Sequence, residues 1–396
     1  SIVKTGAVYI VAAARTPIGN FRGALSSVNV VDLGCIVAKE VVSRANIKPE
    51  YIQEVVAGMI YKGGEKGNPA RQIQIKAGFP ESGYACTVDQ QCGSGMRAVE
   101  ILSQQIMLGK TDVGVAIGME SMSNAAYILK NGRDIKMGDQ RLYDSITHDG
   151  LNCAICNYHM GRTAENLAEK YNITREEQDE LAYLSHQNAL KAQKEGKFDD
   201  EIVMVPVRDR KGRITLVSKD EHPQNSTLAQ LGKLKPVFKK EDGTVTAGNA
   251  SGINDGAAAL LLMSEEAVKK YCIKPIAKIK STASFGVDPS VMGIGPVYAL
   301  PKAVEYAGLS MDDIEYFEIN EAFAAQYIAC ERELKIDRSK VNVNGSGIAL
   351  GHPVGATGVR IIVSLLYEGL KQHIKYGAAS LCVGGGPAIA CVIEML

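Results

Sequence analysis

The residues Cys92-Gly93-Ser94-Gly95-Met96 are the start of the local sequence pattern that best indicates the fold of this chain. Apolar residues follow it at helical spacing up to position 106, and the strand-like residues 113–117 come next and end at Gly118. The glycines predict a turn, the apolar residues repeating about every 3.6 residues predict a helix, and the continuous apolar run predicts a buried strand. The stretch therefore indicates an α/β unit.

The same order recurs near the C-terminal end. Gly345-Ser346-Gly347 precedes a second helical pattern, and residues 378–383 form a strand-like run that ends in Gly384-Gly385-Gly386. Opening strands are predicted at residues 8–13 and 276–279. Two copies of one α/β unit explain this pattern better than one long domain.

The first copy is interrupted by an insertion. In the second copy a strand at residues 388–394 follows the glycines directly, whereas the matching residues 255–263 come only after a long polar stretch. That stretch predicts a helix from about residue 162 to residue 194 and then a loop over residues 208–236. We therefore expect an N-terminal half, an inserted loop domain and a C-terminal half, at residues 1–120 with 251–272, at 121–250 and at 273–396.

Composition narrows the classes of function. The chain has 396 residues, 46% hydrophobic and 22% charged, which allows a sizeable core and excludes a disordered protein. Its 44 basic and 44 acidic residues argue against a dedicated nucleic-acid or membrane-surface protein. No apolar stretch approaches the ~20 residues that span a bilayer, and residues 7–14 fit a buried strand better than a signal peptide. Nine scattered cysteines are typical of reduced thiols, so we expect a cytoplasmic protein.

Cys92 is the first candidate for chemistry. It lies directly before a predicted helix, where free backbone N–H groups and the positive end of the helix dipole would lower the pKa of its thiol. A thiolate in that position is a candidate nucleophile. The alternative is a structural cysteine, because free cysteines are among the most buried residues.

His352 and Cys382 lie at the corresponding end of the second unit. His352 occurs in the glycine-rich residues 345–358, which lack the G-x-G-x-x-G spacing of a dinucleotide site. Cys382 ends a predicted strand and precedes three glycines, whose backbone N–H groups would suit an oxyanion hole. In α/β folds functional groups collect at such strand and helix ends. A core histidine and a core cysteine are the alternative readings.

Two further segments carry polar or sulfur side chains. Asn320 follows the strand-like residues 316–319 and, taken alone, is typical of a helix N-cap. Cys153, Cys156 and His159 could offer three zinc ligands, but no second pair nearby completes a tetrahedral set. We therefore expect no metal site.

Four segments together resemble the signature blocks of the thiolase family. They are the residues around Cys92, Asn320-Glu321-Ala322-Phe323, Gly351-His352-Pro353 and Cys382-Val383-Gly384-Gly385-Gly386. The resemblance covers essentially the whole chain and is closest to the biosynthetic acetyl-CoA acetyltransferase branch. It implies a thiolase-like α/β fold, with two duplicated halves layered α-β-α-β-α and an inserted loop domain.

The resemblance implies a role for each block. Cys92 is the expected nucleophile that accepts an acyl group from a CoA thioester, and His352 takes its proton. Cys382 is the expected acid/base at the α-carbon of a second acetyl-CoA. The N–H groups of Cys92 and Gly384 would form one oxyanion hole, and His352 with a water held by Asn320 the other. The implied reaction is the reversible Claisen condensation of two acetyl-CoA molecules to acetoacetyl-CoA and CoA through an acetyl-cysteine.

The resemblance also implies a CoA and acyl site, built largely from the inserted domain. Its expected residues are Leu151, His159, Met160, Phe238, Ala247, Gly248, Ser251, Met292, Ala322 and Phe323. CoA is then a substrate or product, and no cofactor is expected. We expect a homo-oligomer, a tetramer or alternatively a dimer.

Three other functions compete with this one. A broad-range 3-ketoacyl-CoA thiolase of fatty-acid β-oxidation has the same chemistry with a deeper acyl pocket, whereas Met160 and Met292 favour a short one. A non-catalytic carrier on this fold would be expected to lack Cys92, His352 or Cys382. A carrier-protein-dependent ketoacyl synthase would usually have two histidines and one cysteine.

Overall fold

A computed structural model describes residues 5–396. The strands are β1 Val8–Arg15, β2 Gly19–Asn20, β3 Glu54–Gly58, β4 Tyr84–Val88, β5 Val113–Ser121, β6 Tyr127–Leu129, β7 Leu142–Asp144, β8 Val205–Arg208, β9 Ile214–Val217, β10 Asn254–Ser264, β11 Ala277–Gly286, β12 Tyr316–Ile319, β13 Tyr376–Leu381 and β14 Pro387–Met395. The α-helices are α1 Val30–Ala45, α2 Pro69–Lys76, α3 Ser94–Met107, α4 Met160–Lys170, α5 Arg175–Lys194, α6 Leu228–Gly232, α7 Glu265–Lys270, α8 Pro296–Tyr306, α9 Ala324–Leu334, α10 Gly347–Leu350 and α11 Val354–Gln372. Among these described helices, none is long and apolar enough to cross a membrane.

One large sheet runs through the molecule and has two similar wings. Its strand order is β12-β13-β14-β11-β1-β10-β5-β3-β4, with β2 paired to β10. In one wing β1, β10 and β5 are antiparallel and β3 and β4 continue in parallel. In the other wing β11, β14 and β13 are antiparallel and β12 is parallel to β13. The wings meet where Tyr9 and Ile10 of β1 pair with Lys278 and Ala277 of β11, so the predicted duplicated α/β fold is confirmed.

Helices cover both faces of each wing. α1 and α2 pack on the outer face of the N-terminal wing, and α8 packs on the outer face of the C-terminal wing. α3 and α11 lie between the wings, where they contact each other and strands of both. Apolar side chains of β1, α3, β10, α11 and β14 form the core that the wings share. The order helix, strand, helix, strand, helix is the layered arrangement that the resemblance implied.

Glycines let the first turns of α3 and α11 approach each other closely. A Cβ atom on Gly95 would lie 2.9 Å from the carbonyl oxygen of Gly355. A Cβ atom on Gly358 would collide with the backbone nitrogen of Met96. Because packed interiors leave no room for such atoms, any side chain here would push the helices apart. The glycines therefore bring the two helix starts side by side.

The polar insertion differs from the prediction. The single helix expected from residue 162 to residue 194 is wrong, because the segment forms α4 and α5. Asn172 has a φ of 50°, a left-handed conformation that stops a helix. Thr174 and Glu177 form a capping box that begins α5. The loop predicted over residues 208–236 also contains β9 and the short α6.

Candidate active site

Cys92 lies in a tight turn between β4 and α3. Gln91, the residue before it, has a φ of 50°, a strained conformation for a residue with a side chain. The Gly93 N–H donates to the Gln90 carbonyl at 3.0 Å. The Ser94 hydroxyl donates to the Gln91 carbonyl at 2.6 Å. This turn holds the Cys92 side chain half-buried at the edge of the core, two residues before α3.

The Cys92 thiol is held in its protonated form. Burial raises its pKa to about 11, because desolvation disfavours the thiolate, and the carboxylates of Glu120 and Asp89 add to the rise. The backbone N–H groups of Gly384 and of Cys92 itself lower the pKa in part. The expectation of a lowered thiol pKa at this helix start is therefore wrong for the free protein, since burial outweighs the N–H groups.

His352 lies two residues before α11 and is 4% exposed. Its Nδ1 is 2.6 Å from Thr357 Oγ1, which donates to the Pro353 carbonyl. From these contacts we assign the ring proton to Nδ1 and leave Nε2 as the acceptor. Burial, with help from the Arg360 charge, lowers the pKa of His352 to about 3. The imidazole is therefore neutral and able to take a proton at Nε2.

Asn320 lies beside His352 and carries an unpaired oxygen. Its Nδ2 is 3.5 Å from His352 Nε2. The side chain is fully buried, and its Oδ1 has no hydrogen-bond partner in the described part of the chain. Buried polar atoms usually have a partner, so this oxygen is available to a water or to a substrate group that donates a hydrogen bond.

Cys382 and Gly384 approach Cys92 from the end of β13. Cys382 is buried, and burial together with the Cys92 thiol raises its pKa well above the ordinary value. A Cβ atom on Gly384 would lie 2.5 Å from Met160 Cε, so a side chain here would have to displace the end of the Met160 side chain. The two glycines after Gly384 have φ of 87° and 106°, which only glycine adopts readily. The strand end thus presents a thiol and a backbone N–H group to Cys92.

The residues predicted to hold the acyl group lie in one apolar cluster. Met160, Met292, Ala322 and Phe323 are buried in the same cluster as Cys382. Met160 begins α4 in the insertion, whereas the other three come from the C-terminal part of the chain. The structure therefore brings the predicted acyl residues together with the predicted base.

Several predicted CoA residues form a neighbouring group. The His159 ring stacks on Phe238 with centroids 4.4 Å apart, and Phe238 meets Phe323 edge-on at 6.3 Å. The Ser251 N–H donates to the Ala322 carbonyl at 2.9 Å. These contacts tie the insertion and the segment before β10 to the acyl cluster.

Three predicted CoA residues lie outside this group. Leu151 packs against a separate apolar cluster, which Cys92 also contacts. Ala247 is exposed, and Gly248 lies close to Leu231 and Leu234 of the segment around α6. Leu231 belongs to the same apolar cluster as Cys382, so Gly248 lies at the edge of that cluster, whereas Ala247 does not contribute to it.

Glu120 supports the site and was not found by sequence reasoning. This buried carboxylate near the end of β5 accepts the N–H groups of Ile60, Tyr61 and Gly355 at 2.9, 3.1 and 3.0 Å. It joins the loop after β3 to the first turn of α11. Burial raises its pKa to about 8, against the effect of the three N–H groups. A single carboxylate near the end of an otherwise apolar strand was the signal that could have found it.

Asn254 also supports the site and was also missed. Its Oδ1 accepts the backbone N–H of His352 at 2.9 Å, and its Nδ2 donates to the Gly19 carbonyl at 3.1 Å. The side chain thereby fixes the backbone that carries the imidazole. Nothing in the local sequence pattern indicates this role, because the partners are far apart along the chain.

A cavity of about 610 Å³ lies beside the turn that contains Cys92. Gln91, Met160 and Gly384 line it, together with residues of the segment before α4. Its volume is within the usual range of small-molecule sites, roughly 300–1,000 Å³. A cavity of about 650 Å³ between α3 and β11 contains none of the predicted site residues.

Two of the three residues considered as zinc ligands have other hydrogen-bond partners. Cys153 Sγ accepts the backbone N–H of Cys156, and His159 Nδ1 accepts that of Gly161. Within residues 5–396, no group of three or more His, Cys, Asp or Glu side chains is arranged to hold a metal ion.

Two similar α/β wings with thiols and an imidazole at adjoining strand and helix ends define a thiolase-like class of protein. Comparison with family models identifies the family. The thiolase N-terminal domain matches residues 8–266, and the thiolase C-terminal domain matches residues 273–395. The chain belongs to the thiolase family.

Individual relatives are similar over almost their whole length. A probable acetyl-CoA acyltransferase of Staphylococcus aureus (strain COL) is 48% identical, over 98% of each chain. The structure of an acetyl-CoA acetyltransferase from Syntrophomonas wolfei has a TM-score of 0.97 and 49% identity, over 99% of this chain and 100% of that one. Human mitochondrial 3-ketoacyl-CoA thiolase has a TM-score of 0.95 and 42% identity, over 98% and 99%.

Proposed function

We propose that this chain is an acetyl-CoA C-acetyltransferase, which reversibly condenses two acetyl-CoA molecules to acetoacetyl-CoA and CoA. Membership of the thiolase family and 49% identity to a solved acetyl-CoA acetyltransferase support this function. Two observations carry it. The Cys92 and Cys382 thiols lie close together, and α11, which the neutral His352 imidazole beside Asn320 precedes by two residues, crosses α3 at its first turn.

In the first half-reaction Cys92 becomes acetylated. Its Sγ forms a bond to the thioester carbonyl carbon while its proton passes to Nε2 of His352. The pKa of Cys92 is about 11 and that of His352 about 3, so a thiolate–imidazolium pair is disfavoured in the free protein. The proton therefore moves to His352 as the bond to the carbonyl carbon forms. The N–H groups of Cys92 and Gly384 receive the developing oxyanion. The bond to the CoA sulfur then breaks, and CoA leaves with the proton.

In the second half-reaction a carbon–carbon bond forms. The Cys382 thiol passes its proton to Nε2 of His352, and the resulting thiolate takes a proton from the α-carbon of a second acetyl-CoA. The Nε2–H of His352 and the water held by Asn320 stabilise the enolate. The enolate attacks the acetyl group on Cys92, the carbon–sulfur bond breaks, and the Cys92 sulfur takes the proton from Nε2 of His352. The raised pKa of Cys382 makes its thiolate a stronger base, which suits a weakly acidic C–H bond.

The proposal includes where the substrate binds and what the protein assembles into. Residues 121–250 would act as an inserted CoA-binding domain, supported by the stacking of His159 on Phe238 within that segment. Acetyl-CoA, acetoacetyl-CoA and CoA would be its small-molecule partners, with no resident cofactor. Assembly into a tetramer or dimer and a cytoplasmic location rest on the sequence arguments alone.

Acetylation of Cys92 is the direct test of the proposed function. Cys92→Ala should abolish acyl transfer, because the first half-reaction has lost its nucleophile. Mass spectrometry after exposure of the wild type to acetyl-CoA should find the acetyl group on Cys92. Cys86→Ala, which removes a thiol from the preceding strand β4, is the matched control and should keep activity. An acetyl group on another residue would refute the mechanism.

A further inference from the structure

Cys153 and Cys156 lie in a short hairpin whose thiols the proposed mechanism does not use. Asn152 and His159 pair at the base of the hairpin, and the Asn157 N–H donates to the Cys153 carbonyl at 2.8 Å. Cys153 is buried, whereas Cys156 is partly exposed. Both thiols are therefore held in one closed turn, with one of them open to solvent.

The turn places the two sulfur atoms in range of each other. The Cys156 N–H donates to Cys153 Sγ at 3.2 Å. Burial and the Cys153 thiol raise the pKa of Cys156, and the Tyr158 hydroxyl lowers it, so these side chains are neighbours. The hydrogen bond from Asn157 to Cys153 makes this a single helical turn, in which Cα atoms three residues apart lie about 5 Å from each other. That distance overlaps the roughly 4.4–6.8 Å found across disulfides.

The hairpin is part of the wall of the 610 Å³ cavity beside Cys92. Ala154 and Ile155, the residues between the two cysteines, line this cavity together with Gln91 and Gly384. Ile155 is 65% exposed, so the turn is also reached from solvent. A small molecule can therefore approach the cysteine pair without any rearrangement of the core.

We propose that Cys153 and Cys156 form a reversible thiol–disulfide site that reacts with low-molecular-weight disulfides. The Cys156 thiolate attacks one sulfur of the small disulfide and releases the first thiol. Cys153 then attacks the mixed disulfide on Cys156, releases the second thiol and closes the bridge. The protein loses two electrons and two protons, and the small disulfide becomes two thiols. The Cys156 N–H stabilises the charge on Cys153 Sγ during the second step.

This bridge would act on the cavity through the turn that it closes. Ala154 and Ile155 lie inside the ring that the bridge completes, so oxidation restricts their positions in the cavity wall. The site is separate from Cys92 and Cys382 and does not depend on the proposed reaction. In reducing compartments such bridges are usually transient or redox-sensing rather than structural.

Peptide mass mapping tests the proposal on the whole protein. After exposure to oxidised glutathione, cleavage at Arg141 and Arg162 gives peptide 142–162, which contains Cys153, Cys156 and no other cysteine. We expect this peptide to lose about 2 Da, the mass of the two hydrogens removed, and to regain it with dithiothreitol. A peptide that stays reduced, or that keeps a glutathione on Cys156, would overturn the proposal.

Two variants separate this site from the proposed catalytic thiols. Cys156→Ser removes one partner at a partly exposed position and should abolish the mass loss in peptide 142–162. Cys92→Ala should retain it, because the bridge does not involve Cys92. A mass loss that persists in Cys156→Ser, or that disappears in Cys92→Ala, would contradict the proposal. Since the readout is a mass and not an activity, the proposed function can fail without affecting this test.

Discussion

Burial sets the ionisation of each side chain proposed to act in the reaction. It raises the pKa of Cys92 to about 11 and lowers that of His352 to about 3. Both groups are therefore uncharged near neutral pH, and neither binds water strongly as an ion would. Hydrogen bonds from the polar residues around them, chiefly Asn320, Glu120 and Asn254, fix the positions of the His352 ring and of the backbone near it. Charge develops only when substrate provides the carbonyl that accepts it.

Cys382→Ser should separate the two half-reactions. A hydroxyl is a much poorer base than a thiolate near neutral pH, so proton removal at the α-carbon should fail while Cys92 still becomes acetylated. In a single-turnover experiment with acetyl-CoA, CoA release and protein acetylation should continue and the acetyl-enzyme should accumulate. Exchange of the acetyl-CoA α-hydrogens with deuterated water should be lost. Wild-type exchange, or acetylation lost as completely as in Cys92→Ala, would rule out Cys382 as the base.

Glu120→Gln should shift the titration of Cys92. Glu120 is ionised at pH values where Cys92 titrates, and a neighbouring negative charge disfavours the thiolate. Its removal should therefore lower the Cys92 pKa, by about 1 pH unit. The rate of alkylation of Cys92 by iodoacetamide, measured against pH, reports this midpoint.

Glu100→Gln is the matched control for that titration. Glu100 is a buried glutamate of α3 that binds Arg97 and Thr282. Its replacement should leave the Cys92 profile unchanged. A midpoint that stays constant in a folded Glu120→Gln protein would show that Glu120 acts only through the backbone it holds.

At the scale of secondary structure, the site depends on how closely two helices cross. Cys92 and His352 each lie two residues before a helix, and α3 and α11 cross at their first turns. Gly95, Gly355 and Gly358 make this crossing possible, since backbone of one helix touches backbone of the other. Glycine destabilises the two helices slightly, but it allows the close crossing that aligns Cys92 with His352.

Gly358→Ala should weaken both folding and catalysis. The added methyl collides with the Met96 backbone, so the helices must separate, and overpacking of this kind costs about 1–3 kcal/mol. Urea denaturation should show that loss, and kcat should fall because Cys92 and His352 move apart. Gly232→Ala is the control: it lies in α6 with nothing near its Cβ position, so its stability should be equal or higher. Equal stability of Gly358→Ala and wild type would contradict the crossing argument.

At the scale of the whole molecule, the residues of the proposed acyl pocket come from distant parts of the chain. Met160 comes from the insertion, Met292 from the turn before α8, and Ala322 and Phe323 from the segment before α9. Cys382 at the end of β13 completes the cluster. We therefore expect the size of the acyl group that fits to depend on how the insertion packs on the C-terminal wing.

Met160→Ala should relax selectivity for chain length. The wild type should prefer the four-carbon 3-ketoacyl-CoA, because two methionines limit the pocket. Shortening one should raise kcat/KM for a six-carbon substrate, relative to the four-carbon one, by about tenfold or more. Met137→Ala, at a methionine 95% exposed, should leave the ratio unchanged. Comparable kcat/KM of the wild type for an eight-carbon substrate would instead support a degradative 3-ketoacyl-CoA thiolase.

Local pattern in the sequence determined the elements and the family. Glycine turns followed by apolar periodicity predict α3 and β5, and the strand predicted over residues 316–319 is β12 with the same bounds. These features are local, since the spacing of apolar residues and the backbone freedom of glycine act within a few residues. The blocks around Cys92, His352 and Cys382 are equally local, which is why the order of residues along the chain is enough to indicate the thiolase family.

The pKa values and hydrogen-bond partners of those residues depend on the tertiary structure. Proximity to a helix start predicts a lowered pKa for Cys92, yet burial raises it. Glu120 contacts Ile60 and Gly355, and Asn254 contacts His352, across separations that no local pattern records. Desolvation and hydrogen bonding depend on which segments pack together, and that is settled by the whole fold rather than by neighbours in the chain.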